Sequence, residues 1–368
     1  MNRGFLTYSL FIATVLLPCS GCREKIIPDG PEHGEHAMSF STEVLTKGVT
    51  ATNDNLKNQS IGIYGTYSST PGGDGRYVFE NGDGVTELKF GDYNLEGFSG
   101  TDAWYYEPLQ YWKRNQYYRF RAFYPYRFAD GKLNEGEPGL LESASDTDQI
   151  LVNYSMTPGK IDNVNNYDLL VAFGTRNTGT DGGDDKMRFS PVTLKFEHAL
   201  AALKFEVTYA EDNGYTGTLT KFWINGLRST GWMTYSYAGG NKLEPALDWS
   251  TYNYTSNKDY FLWEGSGSFT YNKPVNVYVT AENSEGLIFV VPQVCSEERQ
   301  DGSGTDITSV SFMTKKSGDA INTVVLDRTE WEPGKKYTYT LKMGTSNIIV
   351  NVTSEDWEVL ESDITIDI

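Results

Sequence analysis

Alternating apolar and polar residues run through most of this 368-residue chain and leave few folds open to it. Successive side chains of a β-strand point to opposite faces, so an apolar residue at every second position marks a half-buried strand. The clearest runs are MSFSTEV, IGIYGTY, YYRFRAFY, PVTLKF, LKFEV, VNVYVT, LIFVV, NTVVL, KYTYTL and IIVNV. The segment nearest to a helical period is HALAALKF, which permits a helical turn or a bulge between two strands. The sequence predicts an all-β protein.

Polar segments rich in glycine separate these runs, as hairpin loops do, because Gly and Asp accept the positive φ angles of tight turns. The most extended of them, Asn177–Lys186, is followed at once by a strand pattern that starts at Pro191. A chain of this length typically forms two domains. We therefore predict two β-domains at residues 38–185 and 186–368. Residues 22–37 are polar, contain Pro and Gly, and are expected to form a tether.

The first 22 residues have the features of a secretion signal. A positive residue, Arg3, precedes the uncharged and mostly apolar stretch Phe5–Leu17. These 13 residues are fewer than the roughly 20 that a membrane-spanning helix needs. The small residues Ser20 and Gly21 then lead into Cys22. We expect residues 1–21 to be removed as a signal peptide and the protein to work outside the cytoplasm.

The end of this signal resembles the processing site of bacterial lipoproteins. That resemblance implies lipidation of Cys22, first by a diacylglycerol on the thiol and then by an acyl chain such as palmitate on the freed amine. Several acyl chains hold a protein on a membrane far more firmly than one chain does. An ordinary signal that is cleaved elsewhere is the alternative.

Charge and cysteine content narrow the class of protein further. The formal net charge of −18 at pH 7 repels phosphate backbones, which argues against nucleic-acid binding. Of the three cysteines, Cys19 leaves with the signal and Cys22 would carry lipid, so Cys295 has no partner for an internal disulfide. We expect Cys295 to be a small buried hydrophobe at the end of a strand.

Residues for catalysis or cofactor binding are sparse. The histidines are His33 and His36, in the tether, and His198, which we expect to be a hydrogen-bonded structural residue. The sequence has no nucleophile elbow and no phosphate-binding loop. Its acidic segments at residues 162–168 and 180–185 do not match the twelve-residue calcium loop, and calcium binding there stays open. We predict no enzymatic activity, no cofactor and no metal site.

Aromatic residues cluster between positions 103 and 118, where the sequence reads AWYYEPLQYWKRNQYY. Exposed indole faces bind sugars in many extracellular proteins, so Trp104 and Trp112 are candidate glycan contacts. Strand alternation buries about half of such a cluster, so many of these rings are expected to fill a core. If these tryptophans are exposed in a concave patch, the chain is a lipid-anchored glycan-binding surface protein that does not polymerise.

Several segments in order resemble one family of proteins. The segments are MSFST, IGIYGTY, YWKRNQYYRFRAFYPY, YDLLVAF, PVTLKFEHALAALKFEV, GLIFVVPQ, EWEPGKKYTYTL and VTSEDWEV. The most specific pieces are FEHALAAL, WEPGKKY and the pair Asp356–Trp357. Together they resemble the fimbrillin-like surface proteins of Gram-negative bacteria, which build donor-strand pili from lipoprotein precursors. The resemblance spans Met38 to Glu358.

This resemblance implies two transthyretin-like β-sandwich domains in series and assembly with other pilus subunits. In the family, an Arg- or Lys-specific protease removes the first strand of an outer-membrane precursor, and a strand of another subunit then fills the groove. On this chain the corresponding cut would follow Lys47. The alternating residues Ile364, Ile366 and Ile368 are candidates for the donor strand, or for the last strand of the second domain. The protein is expected at the outer membrane, and in the fimbrium once processed, where a host surface or glycan is a further candidate partner.

Overall fold

The computed structural model describes residues 37–44, 56–57, 60–72, 75–79, 85–95, 98–126, 140–141, 149–155, 168–179, 191–236, 246–254, 260–279, 284–295, 307–315, 321–326, 330–344 and 347–356. Across these ranges it contains 23 strands. In chain order they are β1 (Phe40–Val44), β2 (Ile61–Ser68), β3 (Arg76–Tyr77), β4 (Val85–Leu95), β5 (Phe98–Tyr105), β6 (Tyr117–Tyr124), β7 (Leu140–Leu141), β8 (Gln149–Ser155), β9 (Leu170–Asn177), β10 (Val192–His198), β11 (Ala201–Tyr209), β12 (Gly217–Asn225), β13 (Arg228–Ser236), β14 (Ala246–Tyr254), β15 (Tyr260–Phe269), β16 (Val275–Asn276), β17 (Ile288–Val290), β18 (Gln293–Val294), β19 (Ser309–Thr314), β20 (Ile321–Val325), β21 (Glu330–Trp331), β22 (Lys335–Met343) and β23 (Ile348–Asp356).

The predicted all-β class is confirmed by this strand content. The largest sheet has the order β1-β10-β9-β6-β2-β4-β5, with β3 paired to β2. A second sheet has the order β16-β11-β22-β23, with β17 paired to β11. Two four-stranded sheets, β15-β12-β19-β20 and β14-β13-β8-β7, and the short pair β18-β21 complete the described strands. The division into two transthyretin-like domains remains a prediction.

Two of the described strand pairs are parallel. β1 runs parallel to β10, with Phe40 opposite Val192, and β11 runs parallel to β22, with Leu203 opposite Tyr337. Only two residues, Ala199 and Leu200, separate β10 from β11. The predicted break within HALAALKF is therefore the point where the chain leaves one sheet and enters another.

Buried apolar side chains form two clusters that share the largest sheet. The first cluster takes residues between Met38 and Phe196, and the second takes most of its residues from Ala199 onward. On β6, Phe120 belongs to the first cluster and Phe123 to the second. Both faces of this part of the sheet are therefore covered, which is why all of β2 is buried although its sequence predicted one buried face.

The predicted strand VNVYVT is shorter than its alternation suggests. Only Val275–Asn276 pairs with β11, and the chain leaves the ladder soon after. Tyr278 has a φ angle of 64°, in the left-handed region, so the backbone there cannot continue as an extended strand. The side chains of Val277 and Tyr278 are nevertheless buried, so their apolar character reflects core packing in an irregular segment.

Candidate functional site

The first strand, β1, lies at one end of the largest sheet. Its backbone ladder is made with β10 alone among the described strands, and it covers five residue pairs from Phe40–Val192 to Val44–Phe196. A strand held by one ladder at a sheet edge can leave without disrupting the pairing of the strands behind it. Side-chain packing and contacts on its other flank add to this ladder in keeping β1 in place.

Residues that end β5 or follow it supply the contacts on that other flank. The indole Nε1–H of Trp104 donates to Thr42 Oγ1 at 3.1 Å. The Met38 N–H donates to the Gln110 carbonyl oxygen at 2.8 Å, and the Tyr106 hydroxyl donates to the Met38 carbonyl oxygen at 3.2 Å. β1 therefore occupies a slot between the β10 ladder and these three side-chain and backbone groups, which we call the β1 slot.

Burial fixes the chemical state of one of these groups. Tyr106 is 3% exposed, and burial raises the pKa of its phenol well above the ordinary value. The hydroxyl therefore stays protonated over the whole physiological range and remains a hydrogen-bond donor to the Met38 carbonyl, just before β1.

Two apolar side chains, Met38 just before β1 and Phe40 on it, reach into the first core cluster. Met38 and Phe40 are each 4% exposed. The Phe40 ring makes edge-on contacts with Phe120, at 5.1 Å between centroids, and with Tyr106, at 5.7 Å. Ser41 lies on the other face, where its hydroxyl is 3.1 Å from that of Thr193 in an exposed position. The alternation predicted for β1 is thus observed as a buried apolar face and a polar outer face.

The proposed processing and donor residues fall outside the described ranges. These are the lipidation site Cys22, the cleavage site Lys47 and the isoleucines Ile364, Ile366 and Ile368. The described part of β1 ends at Val44, three residues before Lys47. The histidines of the tether, His33 and His36, also lie outside.

The two candidate glycan contacts belong to the packing around β1 and its neighbours. Trp112 is 3% exposed and lies edge-on to Tyr118, at 4.7 Å between centroids, with the Arg176 guanidinium 5.5 Å from its ring. Trp112 is therefore not exposed, contrary to what a glycan contact requires, because the aromatic residues of β6 and the Arg176 side chain cover its faces. Trp104 is half-buried and packs edge-on against Phe90 at 5.3 Å.

The two sequence motifs that carried the family resemblance meet in space. In the FEHALAAL motif, the Leu200 carbonyl accepts a hydrogen bond from the Gly334 N–H of the WEPGKKY motif at 2.9 Å. Gly334 has a φ angle of 68°, which favours glycine at this turn. The neighbouring Ala199 carbonyl accepts from the Trp249 indole at 2.8 Å. These contacts hold the crossing between β10 and β11 in place.

Buried polar side chains near this crossing serve structure. His198 is 2% exposed, and its Nδ1 atom lies 2.5 Å from Asp168 Oδ2, which agrees with the structural role expected for it. The fully buried Trp331 donates its indole N–H to the Tyr339 hydroxyl at 2.8 Å. Sequence reasoning had no signal for the partners Asp168 and Tyr339, because each lies apart from its partner in sequence and only the fold joins them.

The described residues contain neither a metal-binding cluster nor a membrane-spanning helix. No three side chains of His, Cys, Asp or Glu in these ranges converge in a way that could hold a metal ion. No helix in the described part of the chain has the length and apolar character needed to cross a membrane.

Comparison with known proteins identifies the family. Residues 49–357 match the model of the fimbrillin-like family, which covers most of the chain. The chain therefore belongs to the fimbrillin-like family, as its motifs indicated. The matched region begins after β1, whereas the resemblance in sequence pattern started at Met38. No curated protein matches the chain.

Solved structures of fimbrial proteins are similar to this chain at low sequence identity. A fimbrial protein from Bacteroides vulgatus ATCC 8482 has a TM-score of 0.57 and 14% identity, with 88% of this chain and 100% of that chain covered. A fimbrial assembly protein from Parabacteroides distasonis ATCC 8503 has a TM-score of 0.40 and 13% identity, with 88% and 100% covered. The tip fimbrial protein Mfa3 from Porphyromonas gingivalis has a TM-score of 0.35 and 12% identity, with 81% and 94% covered. The first of these likenesses shows a common fold.

Proposed function

We propose that this chain is a structural or adhesive accessory subunit of a cell-surface pilus, and that it assembles when β1 is exchanged for a strand of another subunit. The observation that carries the proposal is the β1 slot. A short edge strand, which forms a ladder with β10 alone among the described strands, and the residue Met38 just before it insert the buried side chains of Met38 and Phe40 into a core that the rest of the chain builds. Such a strand fills the groove and can be removed from it.

Loss of β1 would leave a groove that another strand can fill. The backbone of Val192–Phe196 would lose its ladder partner, and the Gln110 carbonyl would lose the Met38 N–H. Buried polar groups without partners are costly, and an exposed sheet edge is a template for an added strand. Burial of two apolar side chains in the positions of Met38 and Phe40 contributes about 1.5–3 kcal/mol each, so an incoming strand regains roughly 3–6 kcal/mol from packing alone.

Proteolysis after Lys47 is the proposed trigger. The described strand ends at Val44, so a cut after Lys47 would leave β1 whole and separate it from the body of the protein. The family match begins at residue 49, which supports the idea that the shared unit is the part remaining after the cut. Lipidation of Cys22 places the anchor on the same side of the cut as β1. The lipid anchor and β1 would therefore leave together, and the part of the protein after Lys47 would be free to join a fibre at the cell surface.

The proposed donor is the C-terminal segment with Ile364, Ile366 and Ile368. In a strand, its spacing of two would place the three apolar side chains on one face, and the buried Met38 and Phe40 have the same spacing. If this segment is instead the last strand of the second domain, it is not the donor, and removing it need not stop polymerisation. The partners in either case are other pilus subunits.

Cleavage and assembly can be tested on the full-length precursor with a trypsin-like protease. The wild-type chain is compared with Lys47→Gln and with Lys57→Gln, a nearby exposed lysine that serves as the matched control. We expect the wild type and Lys57→Gln to give a discrete product that begins at Gly48 and forms polymers on native gels. Lys47→Gln should stay monomeric. Polymers formed by Lys47→Gln to the same extent, or the absence of a product near Gly48, would remove the support for this trigger.

The donor role needs separate variants. Ile364, Ile366 and Ile368 are replaced together by Ser, and the control chain carries Thr365→Ser and Asp367→Asn on the opposite face. We expect the cleaved triple-Ser protein to remain monomeric while the cleaved control polymerises. Polymerisation of a chain that lacks residues 363–368 would exclude this segment as the donor and leave the β1 slot to another strand.

A further inference from the structure

A polar cavity lies beside the far end of β2. It has a volume of about 440 Å³ and is formed where β2 ends, β3 begins and the segment before β6 passes over them. The register places Tyr67 opposite both Arg76 on β3 and Tyr118 on β6, so residues far apart in sequence converge there. The described lining residues are Tyr67, Ser68, Ser69, Arg76, Lys113 and Gln116.

The described lining carries two positive charges and no carboxylate. Arg76 is exposed, and its guanidinium makes neither an ion pair nor a hydrogen bond within the described part of the chain. The Lys113 ammonium donates to the Tyr67 hydroxyl at 2.6 Å and lies 4.4 Å from the centre of the Tyr67 ring, so its described contacts are neutral. In a chain whose net charge is −18, two cations facing one cavity without an acid are a local exception. Among the described residues no carboxylate faces these two cations, so an anion that enters the cavity would meet complementary charge.

The walls of the cavity are held in place before any ligand arrives. The Lys113 N–H donates to the Tyr118 hydroxyl at 2.7 Å. The Thr178 hydroxyl donates to the Lys113 carbonyl oxygen at 2.7 Å and accepts from the Gln116 N–H at 2.9 Å. On the other wall, the Ser68 hydroxyl donates to the Thr70 carbonyl oxygen at 2.6 Å. A site that is ordered in advance loses less entropy on binding.

Size and lining together indicate the class of ligand. A volume of about 440 Å³ exceeds that of a bare oxyanion and lies in the range of small-molecule sites, roughly 300–1,000 Å³. Apart from the Tyr67 ring, the lining offers hydroxyls, an amide and cations, so an apolar ligand would gain little there. A ligand that has one carboxylate and many hydroxyl groups matches both the charge and the hydrogen-bonding groups.

We propose that this cavity binds an acidic sugar residue, a uronic acid or a sialic acid, through its carboxylate. The Arg76 guanidinium can hold a carboxylate with two parallel hydrogen bonds, and Lys113 adds a point charge. Ser68, Ser69 and Gln116 then face the hydroxyl groups of the sugar ring. This inference is independent of strand exchange, since no residue of the cavity lies on β1 or β10.

The test is a titration of the full-length chain with defined probes. Glucuronic acid and N-acetylneuraminic acid are the two acidic arms, glucose is the neutral arm, and inorganic phosphate is the small-anion arm. The expected result is saturable binding of at least one acidic sugar, measured by NMR line broadening or calorimetry, and no saturation with glucose. Of glucuronic acid and N-acetylneuraminic acid, the one that binds more tightly identifies the kind of sugar acid that the cavity recognises. Equal binding of glucose, tighter binding of phosphate, or no binding of either acidic sugar overturns the proposal.

Three variants with the same change of charge locate the binding. Arg76→Gln and Lys113→Gln should each raise the Kd at least about tenfold, because each removes a charge-assisted hydrogen bond. Arg114→Gln is the matched control, since Arg114 is exposed in the same segment but does not line the cavity. It should change the Kd less than about twofold, and a thermal melt of each variant verifies folding. If Arg114→Gln weakens binding as much as Arg76→Gln, the effect is one of general charge and the cavity is not the site.

Discussion

Replacing Phe40 by Ala should loosen β1 without unfolding the rest of the protein. Phe40 is 4% exposed, and its ring meets Phe120 and Tyr106 at 5.1 and 5.7 Å. Truncation of a buried phenylalanine to alanine costs about 3–5 kcal/mol, which combines lost transfer free energy with the cavity left behind. Because β1 is an edge strand, this loss falls first on the local opening of β1 and only then on global stability.

Hydrogen exchange followed by mass spectrometry measures that opening directly. A loss of 3 kcal/mol raises the exchange rate of protected β1 amides by roughly 10²-fold, and a loss of 5 kcal/mol raises it several thousand-fold. The amides of β10 that face β1 should accelerate as well, whereas those of β11 should not. The same variant should release a strand peptide faster after cleavage and polymerise sooner.

Two control variants make the result interpretable. Ser41→Ala removes an exposed hydroxyl on the outer face of β1 and should change the opening free energy by no more than about 0.5 kcal/mol. Phe312→Ala makes the same truncation at a fully buried residue of β19, in the second cluster, and should leave the exchange of β1 unchanged. An acceleration below tenfold for Phe40→Ala, or an equal acceleration for Phe312→Ala, would refute the view that β1 is held by its own inserted side chain.

Three further predictions concern the body of the protein. Tyr339→Phe removes the acceptor of the buried Trp331 indole N–H, so chemical denaturation should show that the free energy of unfolding falls by about 1–3 kcal/mol. An unchanged denaturation midpoint would contradict this prediction. Gly226→Ala should lower the free energy of unfolding by more than about 1 kcal/mol, because the φ angle of Gly226 is 70° and the new Cβ would overlap the Ile307 carbonyl oxygen. A variant more stable than the wild type in the same assay would show that the turn is not strained. Burial raises the pKa of the Cys295 thiol from 9.0 to about 12, so an alkylating reagent at pH 8 should modify it only in unfolded protein. The thiol of the unfolded protein loses its proton at a lower pH than the buried thiol does, so this group lowers the free energy of unfolding as the pH rises from about 9 to about 12. Rapid labelling of the folded protein would disprove the burial of Cys295.

The sequence located most strands but could not show which faces were buried. In YYRFRAFY the alternation placed Tyr118, Phe120 and Ala122 inside, and they are buried. Arg119 and Arg121, expected on the opposite face, are buried too, at 5% and 0% exposure. Periodicity reports the chemistry of each face, whereas burial depends on whether a second layer covers it. Here the second core cluster covers the face that the polar residues suggested was open.

The sequence also could not predict which strands pair with each other. The parallel alignment of β1 with β10 joins residues about 150 positions apart, as in Ser41 and Thr193. No local pattern at either strand encodes that register, which depends on the packing of Met38 and Phe40 in a groove made by other strands. The family motifs gave the order of the segments along the chain but not which of them pair.

The polar cavity beside β2 illustrates the same limit. Its described residues lie at positions 67–69, 76, 113 and 116, and no ligand-binding motif marks either segment. The sequence drew attention to Trp112, whose neighbour Lys113 reaches the cavity while Trp112 itself is buried in the core. An alternating strand pattern cannot predict which of two adjacent residues faces solvent once the chain turns.

The direct connection of β10 to β11 has a mechanical consequence for any fibre built from this chain. Whatever strand occupies the β1 slot lies alongside β10, and β10 passes through two residues into β11, which lies alongside β22. If that strand runs parallel to β10, as β1 does, a pull along its axis loads the evenly spaced bonds of the ladder in shear, so they rupture nearly together instead of opening one after another. Tension would then travel from one ladder to the next through continuous backbone, with no flexible linker along its path.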